Sequence, residues 1–218
     1  CPTVTMDVTF TGSWYDETLE KEGAQKLIDG GCKLISQHAD SLGAPTACEN
    51  AGIPNVSYNG STQAAGPNTY IISSRIDWAP YYEMAIKAVM DGTEIPVDYT
   101  GDLKTGSVVL TDLNTAVAAE GTQAAIDEAK TKLENGELHV FDCSTFTTSV
   151  ELNPFKTDYL TVDADGHITS YLADVDTDEA YAGDTEVITS GYFSESTARS
   201  APYFDLSIDG INLLDTKM

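Results

Sequence analysis

Four short stretches gather the side chains that could do chemistry: Gly12-Ser13-Trp14-Tyr15-Asp16, Gln37-His38-Ala39-Asp40, Tyr58-Asn59-Gly60-Ser61 and Ser73-Ser74-Arg75-Ile76-Asp77-Trp78. Each lies where an apolar run ends. Trp14 and Trp78 are the only tryptophans in the chain. An indole face stacks on a planar heteroaromatic ring, while Gln37, Asp40 or Asn59 can read that ring's polar edge. The same indoles would also serve as caps on a hydrophobic core, a role that suits Trp78 better because Pro80, Tyr81 and Tyr82 follow it. His38 could be a base, a ligand contact or a residue that closes a strand end.

Covalent chemistry finds little support. No partner spacing around His38 marks a triad, and "GSTQAAG" at 60–66 contains no Gly-x-Ser-x-Gly elbow. There is no glycine-rich phosphate loop and no cluster with metal-ligand spacing. Cys1, Cys32, Cys48 and Cys143 form no CxxC pair. "DADGHI" at 163–168 lacks the spaced ligands and closing glutamate of a calcium loop, so a hairpin turn is expected there. The reading is therefore a binding protein, not an enzyme, with no metal and no cofactor. An enzyme built on His38 and Asp40 is the alternative from another class; it requires substrate turnover that His38→Ala abolishes. A surface interaction protein is a third reading, and it requires an exposed apolar patch within 144–218.

The elements that must position these residues alternate strand and helix. Val4 to Phe10 reads as a strand, and Asp16 as the N-cap of a helix that stops at Gly30-Gly31. Strand Leu34 to His38, helix Ala44 to Ala51, strand Asn55 to Tyr58 and strand Tyr70 to Ser73 follow. Pro80 suits a first helical position, Tyr82, Ile86 and Val89 share a face, and Gly92 ends that helix. Strands separated by such helices imply an α/β fold, an open and mainly parallel sheet with helices on both faces. In such sheets ligands bind outside the carboxyl ends of the strands, which is where the four stretches fall.

Beyond Gly101 the spacing predicts a strand over Ser107 to Leu113, a helix near Ala119 to Glu134 and a strand over Leu138 to Cys143. From Ser144 helical periodicity vanishes, and Asp165-Gly166 and Asp209-Gly210 mark turns between short alternating runs. The expected organisation is an α/β lobe over 1–113, a connecting helix and strand over 114–143, and a β-rich extension over 144–218. Cys1 and Cys32 each precede one of two strands expected to be neighbours, which leaves a disulfide between them open.

Composition narrows the function classes. The chain has 218 residues, 41% hydrophobic, with 35 acidic against 11 basic side chains and a formal charge of −24. That charge repels a phosphate backbone and excludes nucleic acid as a partner. No apolar run reaches the ~18 residues that a membrane span needs.

Three segments resemble a known family in consistent order: "GSWYDETLEKEGAQKLIDGGCKLISQHADS", "WAPYYEMAIKAVMDGT" and "YTGDLKTGSVVL". They are similar to the basic-membrane-protein family, solute-binding lipoproteins of ABC transporters that include purine-nucleoside receptors. The resemblance covers about residues 4–143. It implies one lobe of a type I periplasmic-binding fold and an extracytoplasmic protein, lipid-anchored to the cell surface at full length. A membrane permease and a purine-like solute would be its partners; the alternative is a ligand-sensing receptor domain that uses the same pocket without transport. The family stacks an aromatic residue on the purine after the Gly-Ser of the first turn, and Trp14 stands there. Nucleoside-binding members place an aspartate where Asn59 stands, and a lysine before an Arg-hydrophobic-Asp triplet where Ser74 precedes Arg75-Ile76-Asp77. Loss of both charges removes two contacts to a sugar, so the resemblance implies a free base in preference to a nucleoside. It also implies an N-terminal lobe that is missing here, residues 1–218 being read as a truncated chain and Cys1 as a fragment's first residue.

Overall fold

The computed structural model describes residues 4–175, 183–194, 197 and 204–214. The chain divides into two compact units, one of Thr5–Ile95, Gly101–Thr131 and Asn212–Met218, the other of Cys1–Val4, Pro96–Thr100 and Lys132–Ile211.

The first unit runs β1 (Met6–Thr9), α1 (Glu17–Asp29), β2 (Ile35–Ser36), α2 (Gly43–Ala51), β3 (Asn55–Tyr58), β4 (Tyr70–Ile76), α3 (Ala79–Asp91) and β5 (Val108–Leu110), and then enters α4 (Thr122–Asn135). Local chemistry sets these limits. Asp16 sits in extended backbone and accepts the Leu19 N–H, while Glu17 and Glu20 place negative charge at the positive end of α1. α2 and α3 each end on a glycine in the left-handed region, Gly52 at φ 66° and Gly92 at φ 68°. Pro80 occupies the first turn of α3, as its fixed φ predicts.

β2, β3 and β4 pair in parallel, and β5 adds antiparallel to the far edge of β4. α1 and α2 pack face to face over a core of Ala24, Ile35, Ala44, Ala47 and Cys48. The small side chains there let the helix backbones approach closely. A Cβ on Gly43 would stand 2.3 Å from the Glu17 carbonyl oxygen. Asn55 is fully buried, and its carboxamide bonds the Ile35 carbonyl at 3.3 Å and the Ser57 hydroxyl at 2.9 Å, tying β3 to β2.

Two expectations are corrected. The first strand does not neighbour the second: β1 pairs with β11 (Ile211–Leu214), where Asn212 Nδ2 donates to Asp7 Oδ1 at 2.8 Å. The apolar run Ile211–Leu214 competes for the β1 edge, a partner too distant in sequence to be anticipated. Leu138 to Cys143 is no strand. Its carbonyl and amide groups meet residues 191–193 through the single bridge Asp142↔Tyr192, because Asp142 turns the chain by accepting the Ser144 N–H at 2.9 Å. On α3 the face shared by Tyr82, Ile86 and Val89 is exposed, and Ala88 is the residue buried. A Cys1–Cys32 disulfide involves a position outside the described residues.

The second unit is β-rich, as expected. β6 (Leu160–Val162), β7 (Ile168–Ala173) and β8 (Thr185–Glu186) form an antiparallel sheet, and β9 (Ile188–Thr189) pairs with β10 (Tyr192–Phe193). Ser190 and Gly191 both take positive φ between β9 and β10, the geometry of a two-residue hairpin turn. "DADGHI" forms the hairpin turn predicted for it: Asp163 accepts the N–H groups of Asp165 and His167 at 2.9 Å each. Leu160, Ile168, Tyr171, Val187, Phe193 and Leu206 build the core.

Candidate functional site

The turn after β1 is held by its own hydroxyls. Thr11 Oγ1 donates to the Ser13 carbonyl at 3.0 Å, and Ser13 Oγ to the Tyr15 carbonyl at 3.1 Å, with Gly12 at φ +68° making the reversal. Trp14 projects from this turn and is 78% exposed. The turn is then fastened to the loop after β2. The Asp40 N–H donates to the Trp14 carbonyl at 2.9 Å, and Glu20, 4% exposed, accepts the N–H of Asp16 at 2.9 Å and of Ser41 at 3.0 Å. An exposed indole thus stands on a fixed backbone.

Between these two loops opens a cavity of about 560 Å³. β1 and its turn form one wall and β2 the other, with α1 as the floor. Trp14, Gln37 and His38 all line it. Gln37 Nε2 donates to the carbonyls of Ala39 at 2.8 Å and Ser41 at 3.0 Å, which fixes the orientation of the amide. Its Oε1 is then buried without a hydrogen-bond partner among the described residues. A buried acceptor in that state calls for a donor. His38 stacks on Tyr58 with centroids 4.4 Å apart, joining the ends of β2 and β3.

The other predicted residues fall elsewhere. Asp40 is exposed, and its backbone N–H is what serves the site. Asn59 ends β3 at φ 63° with its N–H donated to the Ser74 carbonyl at 2.7 Å, and it does not line the cavity. Trp78 begins α3 in an aromatic group with Tyr81 and Tyr82, centroids 6.3 Å away in both cases, and is absent from the cavity lining. Asp77 caps the start of α3 through the Ala79 N–H at 3.0 Å and pairs with Arg75 at 3.3 Å. Sequence reasoning missed Glu20. Its place four residues after the helix cap was a visible signal; its bond to Ser41 was not.

An indole, an amide and an imidazole on one cavity can stack on and hydrogen-bond a small planar molecule. Among the described residues no helix is long and apolar enough to cross a membrane.

TsgA13 of Haloferax volcanii, which carries the name of an ABC transporter glucose-binding protein, is 29% identical over 66% of this chain and 37% of its own. A purine-binding protein of Brucella abortus is 28% identical over 64% of this chain and 39% of its own. The solved structure of a transcriptional activator of the comK gene from Bacillus halodurans aligns with a TM-score of 0.52 at 18% identity, over 59% of this chain and 46% of that one, a likeness of fold. The chain thus spans less than half the length of these relatives. The α/β lobe with its open, mainly parallel sheet agrees with the periplasmic-binding lobe the sequence led us to expect. The family model for PnrA-like ABC transporter substrate-binding proteins matches residues 2–140 of 218, and on that extent the chain belongs to the Bmp family.

Proposed function

We propose that the rim formed by Trp14, Gln37 and His38 binds a planar heteroaromatic solute, a purine base or a close analogue, in an extracytoplasmic receptor that delivers it to an ABC permease. The observation that carries this reading is the pairing of an exposed indole with the polar side chains of Gln37 and His38 on one cavity. The indole supplies stacking, and the polar side chains beside it hydrogen-bond the ring's edge. Asn59 and Ser74 lack the charges that would hold a ribose, which favours the free base. Ligand contacts on both sides of a closing cleft would stabilise the closed form, and the permease would recognise that form. Lipid anchoring belongs to the same proposal.

Glucose is the second reading, favoured by the name of the Haloferax relative, since an indole also packs on the apolar face of a sugar ring. Isothermal titration with adenine, adenosine and glucose separates the readings. Adenine binding that is lost in Trp14→Ala supports the proposal. Preference for adenosine overturns the free-base assignment, and binding of glucose alone overturns the purine class. Conversion of any of the three to product would establish the enzyme alternative.

A further inference from the structure

We infer that β11 is a clasp on β1, and that Asn212 and Asp7 are its positioning residues, holding the turn that carries Trp14 where it meets a ligand. The effect on a ligand rests on the solute-binding reading above; the clasp itself does not.

β1 has little else to hold it. It is four residues long, Met6 at its start is exposed, and among the described residues β11 is its strand partner. A two-stranded ribbon is marginal in water, so its pairing needs a specific anchor. Apolar burial supplies little of one, since Ile211 is 37% and Leu213 43% exposed. The anchor is polar. Asn212 Nδ2 donates to Asp7 Oδ1 at 2.8 Å, a bond to a charged acceptor and therefore stronger than a neutral one.

Asp7 also reaches the helix behind it. Its Oδ2 accepts the Cys32 thiol at 3.9 Å, and the Cys32 N–H donates to the Leu27 carbonyl of α1 at 3.1 Å. Burial and the Asp7 charge push the Cys32 thiol up, so it keeps the proton it donates. One carboxylate thus joins β11, β1 and the end of α1.

What β1 holds is the turn. The far side of that turn is fixed by the Asp40 N–H on the Trp14 carbonyl and by Asp16 at the start of α1. Its near side runs straight out of β1. No residue of β11 lines the cavity, so any action on a ligand passes through β1. β11 also lies beyond residues 2–140, the part the family model matches, so the clasp is an addition to the matched lobe.

The test is a charge swap in the 218-residue chain, read by amide hydrogen exchange along β1 and by calorimetric titration with adenine. Asn212→Asp sets two carboxylates against each other. The β1 amides should then exchange at least ~10-fold faster while those of β3 and β4 do not change, and the Kd for adenine should rise about 5-fold. Adding Asp7→Asn re-forms the bond with its charge on the other strand and leaves an amide oxygen for Cys32. Both readouts should return to within about 2-fold of wild type. Unchanged β1 exchange in Asn212→Asp would overturn the clasp, as would a double variant no slower than the single one or equal acceleration in β3 and β4. Faster β1 exchange with unchanged adenine affinity would overturn the positioning role. A wild-type chain that binds no adenine would count against the solute reading, and the exchange arm would still decide the clasp.

Discussion

Glu20 shows how one side chain sets the geometry of the rim. It is 4% exposed, and its two oxygens take the N–H groups of Asp16 and Ser41 from loops on either side of the cavity. Glu20→Ala leaves two such groups unpaired, and at ~1–2 kcal/mol each we expect a loss of about 2–4 kcal/mol. Glu20→Gln keeps an acceptor and should lose about 1 kcal/mol. Urea unfolding of both variants measures this, and an alanine variant within experimental error of wild type would contradict it. Trp14→Ala should instead change stability by no more than about 0.5 kcal/mol, because the indole is 78% exposed and little packing is lost. A binding loss in that variant can then be read as a lost contact. Trp14, Gln37 and His38 were legible in the sequence because they follow strands. Glu20 was not, since its partner Ser41 lies 21 residues away.

Helix packing tests the elements. At Gly43 a methyl group would meet the Glu17 carbonyl oxygen at 2.3 Å, far inside contact distance, and backbone cannot swing away as a side chain can. Gly43→Ala should therefore push α2 off α1 and cost about 1–3 kcal/mol. Chemical denaturation with m-value analysis checks it, and unchanged stability would show that the helices adjust freely. The existence and limits of α1, α2 and α3 were readable because caps, glycine stops and Pro80 act over a few residues. Strand order was not readable. The pairing of β1 with β11 joins positions some two hundred residues apart, and no local periodicity encodes it. Leu138–Cys143 misled for a related reason: its apolar alternation is that of a strand, but Leu138 and Val140 stay exposed and Asp142 turns the chain.

The two units carry separate cores, and each core holds groups whose titration in alkali opposes folding, Cys48 and Cys32 in one and Tyr171 and Cys143 in the other. In the α/β unit, burial pushes the Cys48 thiol up from 9.0 to about 11. In the β-rich unit, burial pushes Tyr171 up from 10.0 to about 12, aided by donation of its hydroxyl to Asp205 at 2.6 Å and opposed by Lys156. Both folded states hold the proton more tightly than the unfolded chain does. Their contributions are whole below the unfolded values and fade as pH rises through the folded ones. The α/β unit should therefore weaken from pH 9 to about 11, and the β-rich unit from pH 10 to about 12. Thermal melts by circular dichroism across pH 8 to 12 of the wild type, Cys48→Ala and Tyr171→Phe distinguish the two. Each variant starts from a lower baseline, having lost packing or a hydrogen bond, but should lose the larger part of the pH dependence of its own window, Cys32 or Cys143 supplying the rest, and keep that of the other. If either substitution flattened both windows, the cores would be coupled and the assignment of Cys48 to one window and Tyr171 to the other would fall.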